Sequence, residues 1–235
     1  HYIYSILPFE PAFFDKYDLK VNYVGNPLLD EISKFQPHEF FYQKNELSYQ
    51  PIIALLPGSR RQEINNMLDR MVELVKEFPN AQFVIAGVKD LGSEIYQRGV
   101  DGGIRVIYDQ TYDLLSHAIA AVVTSGTATL ETALFRVPQV VVYRTSSISY
   151  AIAKNLIRVP FISLVNLIAD KEVVKELIQN DFSILNLKTE LQQILGNQIY
   201  KGYMLQGYDL IKEQLGEKSA SDTAAKLILG SLNKK

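Results

Sequence analysis

Ile52-Ile53-Ala54-Leu55-Leu56-Pro57-Gly58-Ser59-Arg60-Arg61-Gln62-Glu63-Ile64 is the stretch on which the fold turns. The run from Ile52 to Leu56 is apolar without alternation, as in a strand buried on both faces. Pro57-Gly58 breaks it. Ile64, Met67, Leu68, Met71, Val72, Val75 and Phe78 then recur at helical spacing. A strand that passes through a tight loop into an amphipathic helix is the opening of a β-α-β unit.

The same alternation continues downstream. Strands are expected at Phe83 to Ala86, Ile104 to Ile107, Ala120 to Thr124 and Val140 to Tyr143, the last clear one. Helices are expected at Leu91 to Arg98, Tyr112 to His117, Thr127 to Phe135 and Ser149 to Arg158. This predicts an α/β fold, a Rossmann-like parallel sheet with helices on both faces. Ligands of such sheets bind at the carboxyl ends of the strands. From Lys171 the tail reads as helical with no strand, and Tyr203 to Gly216 and Ala220 to Leu232 read as amphipathic helices. At the front, Tyr2 to Leu7 and Val21 to Val24 read as strands around a short helix. Gly25-Asn26-Pro27 reads as a linker, and Lys34 to Pro51 carries no assignment. The opening, His1 followed at once by an apolar run, leads us to expect further sequence upstream.

Composition narrows the classes. The chain has 235 residues, 47% hydrophobic and 21% charged, which is ordinary for a globular protein. A net charge of -2 gives no bulk attraction for nucleic acid. Without cysteine there are no disulfides or thiolate metal sites, and His1, His38 and His117 are too scattered for a local ligand pair. We expect no bound metal and no cofactor. No apolar run reaches the length of a membrane span, and the first residues do not read as a signal peptide.

Two loops carry the chemistry. In the first, Gly58 allows a tight turn and Ser59 is expected to cap the helix, with Gln62 at capping-box spacing. Arg60 and Arg61 place cations where the helix dipole disfavours them, a conflict that an anionic ligand would remove. The structural reading is a capped helix start; the functional reading is a phosphate site. No Gly-Lys-Ser/Thr follows, so this is not a Walker A loop. The second loop, Thr124-Ser125-Gly126-Thr127-Ala128-Thr129-Leu130-Glu131, again joins a strand end to a helix start. The small residues Ser125, Gly126, Thr127 and Ala128 leave room for a diphosphate against backbone N–H groups. Glu131, one turn in, could accept bonds from two ribose hydroxyls; alone it is more simply a favourable charge on the helix dipole. Two such loops at neighbouring strand ends favour a nucleotide cleft. Asn166, within Ser163-Leu164-Val165-Asn166-Leu167, reads by itself as a helix cap. Tyr150, Ile152, Ala153, Leu156 and Ile157, flanked by Arg144, Lys154 and Arg158, read as a helix on the sheet, with an anionic lipid surface as the functional alternative.

In this order the motifs resemble the lipid-A-disaccharide synthase family. The matching stretches are Ile6-Leu7-Pro8-Phe9-Glu10, Val24 to Asp30, the Leu-Pro-Gly-Ser-Arg loop, Ser125 to Glu131 and Tyr143-Arg144. Ala153-Lys154, Ser163 to Leu167 and Val174-Lys175-Glu176-Leu177 complete the set. The family usually has Pro where this chain has Val165. The resemblance implies one half of a GT-B glycosyltransferase. Residues 1–35 would be the end of the acceptor domain and a linker, 36–200 the UDP-sugar donor-binding domain, and 201–235 helices packing back toward the acceptor domain. It implies transfer from UDP-2,3-diacylglucosamine to 2,3-diacylglucosamine 1-phosphate, with inversion and release of UDP. Most of the acceptor domain would lie outside this chain, leaving it inactive alone. By carry-over Arg60 would neutralise the leaving diphosphate. Gly58, Ser59, Ser125, Gly126, Thr127 and Ala128 would hold the nucleotide, Glu131 the ribose, and Asn166 would shape the donor site. The implied location is cytoplasmic, with peripheral contact to the inner membrane as an option. Competing readings are another UDP-sugar enzyme of this architecture, of the muramyl-pentapeptide glucosaminyltransferase or UDP-N-acetylglucosamine epimerase type, and a non-catalytic nucleotide-binding module.

Overall fold

A computed structural model describes residues 2–146, 160–217 and 219–232 of the chain. The expected helix from Ser149 to Arg158, with its apolar set and with Lys154, lies outside these residues.

The chain begins with β1 (Ile3–Ser5), α1 (Glu10–Asp15) and β2 (Val21–Tyr23). The two strands pair in parallel, Ile3 opposite Val21 and Ser5 opposite Tyr23, as a small sheet of their own. Asn26 then starts α2 (Pro27–Lys34). Its side chain accepts the Leu28 N–H and donates to the Ile6 carbonyl, so the breaker cluster is a helix cap tied back to the first strand's loop. The unassigned stretch holds one short turn of helix, α3 (Phe41–Lys44), whose Phe41 is fully buried.

The second, larger sheet comes from β3 (Ile52–Leu56), β4 (Gln82–Gly87), β5 (Arg105–Tyr108), β6 (Ala118–Thr124), β7 (Gln139–Tyr143) and β8 (Glu176–Ile178). All six strands are parallel, in the spatial order β5-β4-β3-β6-β7-β8. Connections run outward in one direction from β3 through β4 to β5, and in the other from β6 to β8. This is the doubly wound arrangement whose switch point falls between its first and fourth strands, here β3 and β6.

Alternation along β3 explains why it is central. Ile53 and Leu55 face one layer and Ile52, Ala54 and Leu56 the other, and all five are buried. The first layer contains α4 (Arg61–Glu73), through Ile64, Met67, Leu68 and Met71. The second contains α6 (Thr111–His117), through Leu114 and Leu115. Each fully buried Ile or Leu contributes about 1.5–3 kcal/mol, so a polar residue anywhere in β3 would be costly.

Two expectations need correction. The region from Leu91 to Arg98 is not one helix. It consists of 3-10 turns at Lys89–Leu91 and Glu94–Tyr96 followed by α5 (Gln97–Asp101). Gly92, at φ +81°, breaks the helical path between the turns. The tail is not free of strand either, for β8 closes the sheet on β7 with Leu177 opposite Val142. Val173-Val174-Lys175-Glu176-Leu177-Ile178 fits either period, and pairing with β7 decides it. Around this strand lie α7 (Thr127–Leu134), α8 (Leu164–Ala169), α9 (Ile184–Gly196) and α10 (Gln198–Leu215), and α11 (Ala220–Leu232) ends the described chain.

The ends of the chain meet. Tyr23 donates its hydroxyl to the Leu215 carbonyl at 2.8 Å, satisfying an end group of α10. Asp30 accepts from the Ser219 hydroxyl at 3.1 Å and from the Ala220 N–H at 3.2 Å, at the start of α11. Among the described residues, no helix is long and apolar enough to cross a membrane.

Candidate nucleotide cleft at the switch point

The loops after β3 and β6 flank a cleft of about 320 Å³. Its walls include Gly58, Ser59, Arg60 and Glu63 from one loop and Ser125, Gly126, Thr127, Ala128 and Glu131 from the other. Gly87 at the end of β4, Val88 just after it, and Thr111 at the start of α6 also line it. Sequence reasoning missed these last three; Gly87 at the end of an apolar run was the available signal.

The first loop is organised by Glu63. Gly58 lies at φ +117°, and a side chain there would meet the Glu63 carboxylate, its Cβ 2.6 Å from Oε2. Oε2 accepts the Ser59 N–H at 3.1 Å and Oε1 accepts from Arg60 Nη1 at 2.7 Å. The expected Ser59 cap with Gln62 does not form. The helix starts one residue later, with Arg60 at the cap position and no side-chain cap, so Glu63 rather than Gln62 reaches back. The cation therefore already has an anionic partner, which weakens the argument that only a ligand could offset it. The Arg60 side chain remains 80% exposed while that of Glu63 is 19% exposed, so the guanidinium is the accessible member. Arg61 turns away, to the Leu91 carbonyl and Glu94.

The second loop follows buried Thr124. Ser125 is fixed from two sides, its N–H on the Val142 carbonyl at 3.0 Å and its hydroxyl on the Ile162 carbonyl at 2.7 Å. Gly126 starts α7 at φ +154° and ψ -163°, a conformation essentially confined to glycine. A Cβ there would meet nothing within 4 Å, so the strain and not crowding demands glycine. Thr129 and Thr132 turn their hydroxyls onto the Gly126 and Ala128 carbonyls. The Thr129 N–H is used by the Gly126 carbonyl at 3.2 Å, but the Thr127 and Ala128 N–H groups precede any acceptor in the helix, and both residues line the cleft. Such a terminus favours an anion.

Glu131 lines the same cleft, half-buried. Its Oε1 accepts from the Tyr112 hydroxyl at 3.1 Å. Burial pushes the Glu131 carboxyl up from its ordinary value, and the Tyr112 hydrogen bond pulls against that. Tyr112 is itself raised, by burial first and by the Glu131 charge second.

Asn166 is not part of the cleft wall. It is fully buried, and Ser163 rather than Asn166 caps α8. The Asn166 amide donates to the Val174 carbonyl and to Glu176 Oε1, and its oxygen accepts the Val173 and Val174 N–H groups. Glu176 in turn accepts the Ile162 N–H, the Ser163 N–H and the Ser163 hydroxyl. Among the described residues, Asn166 is linked to the cleft through Glu176, Ile162 and Ser125. A charged residue in an edge strand, Glu176 gave no sign of this role in the sequence beyond its place in a matching stretch. Among the described residues, no group of three or more His, Cys, Asp or Glu side chains is placed to hold a metal.

Comparison with known proteins adds to this geometry. The family described as lipid-A-disaccharide synthetase matches residues 1–228. Lipid-A-disaccharide synthase of Nitrosococcus oceani is 37% identical over 238 residues, covering 97% of this chain and 60% of that protein. The enzyme of Syntrophotalea carbinolica is 32% identical, covering 95% and 59%. The chain therefore spans about 60% of the length of these relatives. Among solved structures, a glycosyltransferase from Rickettsia africae superposes with a TM-score of 0.62 at 11% identity, over 100% of this chain and 64% of that one. UDP-GlcNAc 2-epimerase from Neisseria meningitidis, bound to UDP-GlcNAc, gives 0.57 at 17% identity, over 99% and 61%. These likenesses bear out the fold class, a parallel α/β sheet with helices on both faces.

Proposed function

Because this chain belongs to the lipid-A-disaccharide synthetase family, we propose that it is the donor-nucleotide-binding part of a lipid A glycosyltransferase. One observation carries the proposal: an exposed guanidinium, a helix N-terminus and a half-buried carboxylate line one cleft at the sheet's switch point. The donor is UDP-2,3-diacylglucosamine and the acceptor 2,3-diacylglucosamine 1-phosphate. The epimerase of like fold is bound to a UDP-sugar, which supports the choice of nucleotide.

In this reading the α7 N-terminus and the Ser125–Ala128 backbone hold the diphosphate. Glu131 accepts the ribose hydroxyls. An acceptor hydroxyl attacks the anomeric carbon from the face opposite UDP and gives its proton to a base. The bond from that carbon to the UDP oxygen breaks with inversion, and Arg60 meets the charge that collects on the departing diphosphate. Acceptor binding and the base are assigned to the remaining part of the relatives' length. The whole enzyme works in the cytoplasm, against the inner membrane where the acyl chains of its substrates reside.

Calorimetry of the chain with UDP in EDTA tests the reading. Binding of UDP well above that of uridine is expected. No binding in EDTA, followed by binding on adding magnesium, would overturn the metal-free site; no binding under either condition would overturn the site itself.

A further inference from the structure

Tyr112 enters the cleft region from α6, which packs on β3 and β4, whereas Glu131 comes from the helix that follows β6. Its ring is held on two sides. The Phe135 ring, just past the helix that carries Glu131, lies 5.0 Å away, and Phe35, just past α2, lies 5.5 Å away, edge-on. Phe35 and Phe135 also touch each other, at 5.6 Å. Edge and tilted packing of this kind fixes ring orientation, so the phenol oxygen has little freedom.

That oxygen donates to Glu131 Oε1 at 3.1 Å. Oε2 has no hydrogen-bond partner among the described residues. A carboxylate with one oxygen claimed by a rigid donor presents the other along a fixed direction. It also stays ionised more readily, because a bond to the charged form favours that form. A protonated carboxyl would accept poorly from a diol, and burial alone drives Glu131 that way.

We propose that Tyr112 is a positioning residue for nucleoside selection: by holding Glu131 Oε1 it presents Oε2 to the ribose 2′-hydroxyl and so sets the preference for ribonucleotides over deoxyribonucleotides. This rests on the ribose-binding reading of Glu131. A structural reading competes with it, in which the phenol merely finds an acceptor and any loss on its removal is general.

Titration of UDP and 2′-deoxy-UDP into the chain, Tyr112→Phe and Glu131→Gln separates these, with melting temperature as a folding control. Phe keeps the ring and its packing. The parent is expected to prefer UDP by about tenfold, in line with a hydrogen bond to a charged group. Glu131→Gln should erase most of that preference. Tyr112→Phe should weaken UDP by about three- to tenfold and 2′-deoxy-UDP by less than about twofold. Equal losses for both nucleotides, or none, overturn the role of Tyr112 while leaving Glu131 in place. If Glu131→Gln discriminates as the parent does, the ribose reading fails and the inference falls with it.

Discussion

Arg60 Nη1 stands 2.7 Å from Glu63 Oε1, while Oε2 of the same carboxylate accepts the Ser59 N–H. The loop that faces the cleft thus carries an anion where a phosphate would be expected to sit. An incoming diphosphate competes with Glu63 for the guanidinium. Exposed pairs of this kind are worth about 0.2–1 kcal/mol. Glu63→Gln should therefore tighten UDP by up to about fivefold and leave uridine unchanged, as read by calorimetry. Weaker UDP binding would mean that Glu63 serves to aim Arg60.

Arg60 and Arg61 should behave differently although adjacent. Arg61 is committed to Leu91 and Glu94, away from the cleft. In a complete enzyme Arg60→Ala should lower kcat by about 10²–10³, comparable to losing one donor to a developing oxyanion. Lys should restore part of this, as a point charge without a fork. Arg61→Ala should change kcat by less than about twofold, since it removes exposed contacts to Leu91 and Glu94 that lie away from the cleft. Steady-state kinetics of the three variants decide it, and a silent Arg60→Ala would make the loop structural.

Asn166→Ala should act through folding. It would take the side-chain partner from the Val173 N–H and from both backbone groups of buried Val174, while Glu176 keeps its Ile162 and Ser163 donors, and each buried unpaired group costs about 1–3 kcal/mol. A loss of about 2–4 kcal/mol in urea unfolding is expected. Native stability with lost UDP binding would instead place Asn166 on the ligand.

Much of this was legible in the sequence, and the limits have physical causes. The apolar run of β3 and the small-residue loop after β6 announce themselves because local pattern and tertiary role agree there. The Arg60 cation was visible but its partner was not, because the start of α4 lies one residue beyond the expected cap and hands the contact from Gln62 to Glu63. β8 was hidden because three edge-strand residues are too few to show a period. Asn166 was located but misread: a buried amide serving four backbone and side-chain groups looks, in sequence, like any helix-start Asn. Tyr112 and Glu131 meet from two successive helices, 19 residues apart, a pairing that no local spacing encodes.

Stability should depend on pH through Glu190 as well as Glu131. Burial raises both carboxyls above the ordinary value of 4.5; for Glu190 the Tyr200 hydrogen bond and Lys175 oppose this and Glu172 adds to it. A raised folded value means that the folded state binds the proton more tightly than the unfolded chain. The associated stability is present in full below about 4.5 and is lost as pH rises through the folded value. Glu190→Gln should flatten the fall in melting temperature from pH about 4.5 upward, because Gln carries no proton to lose. An unchanged slope across that range would show that Glu190 titrates normally.

The brace from Glu176 through Ile162 to Ser125 also has a consequence for synthesis. A ribosome emits Ser125 about 50 residues before Glu176, roughly 3–10 s earlier at ordinary elongation rates. During that interval β6 has β3 to pair with, but the strand and clamp that immobilise its terminal loop do not yet exist. The nascent protein therefore acquires its central sheet before its anion cradle is tightened. A pause in translation after Tyr143 has emerged and before Glu176 has would leave a partly wound sheet with an open edge at β7, a state exposed to pairing with a neighbouring chain.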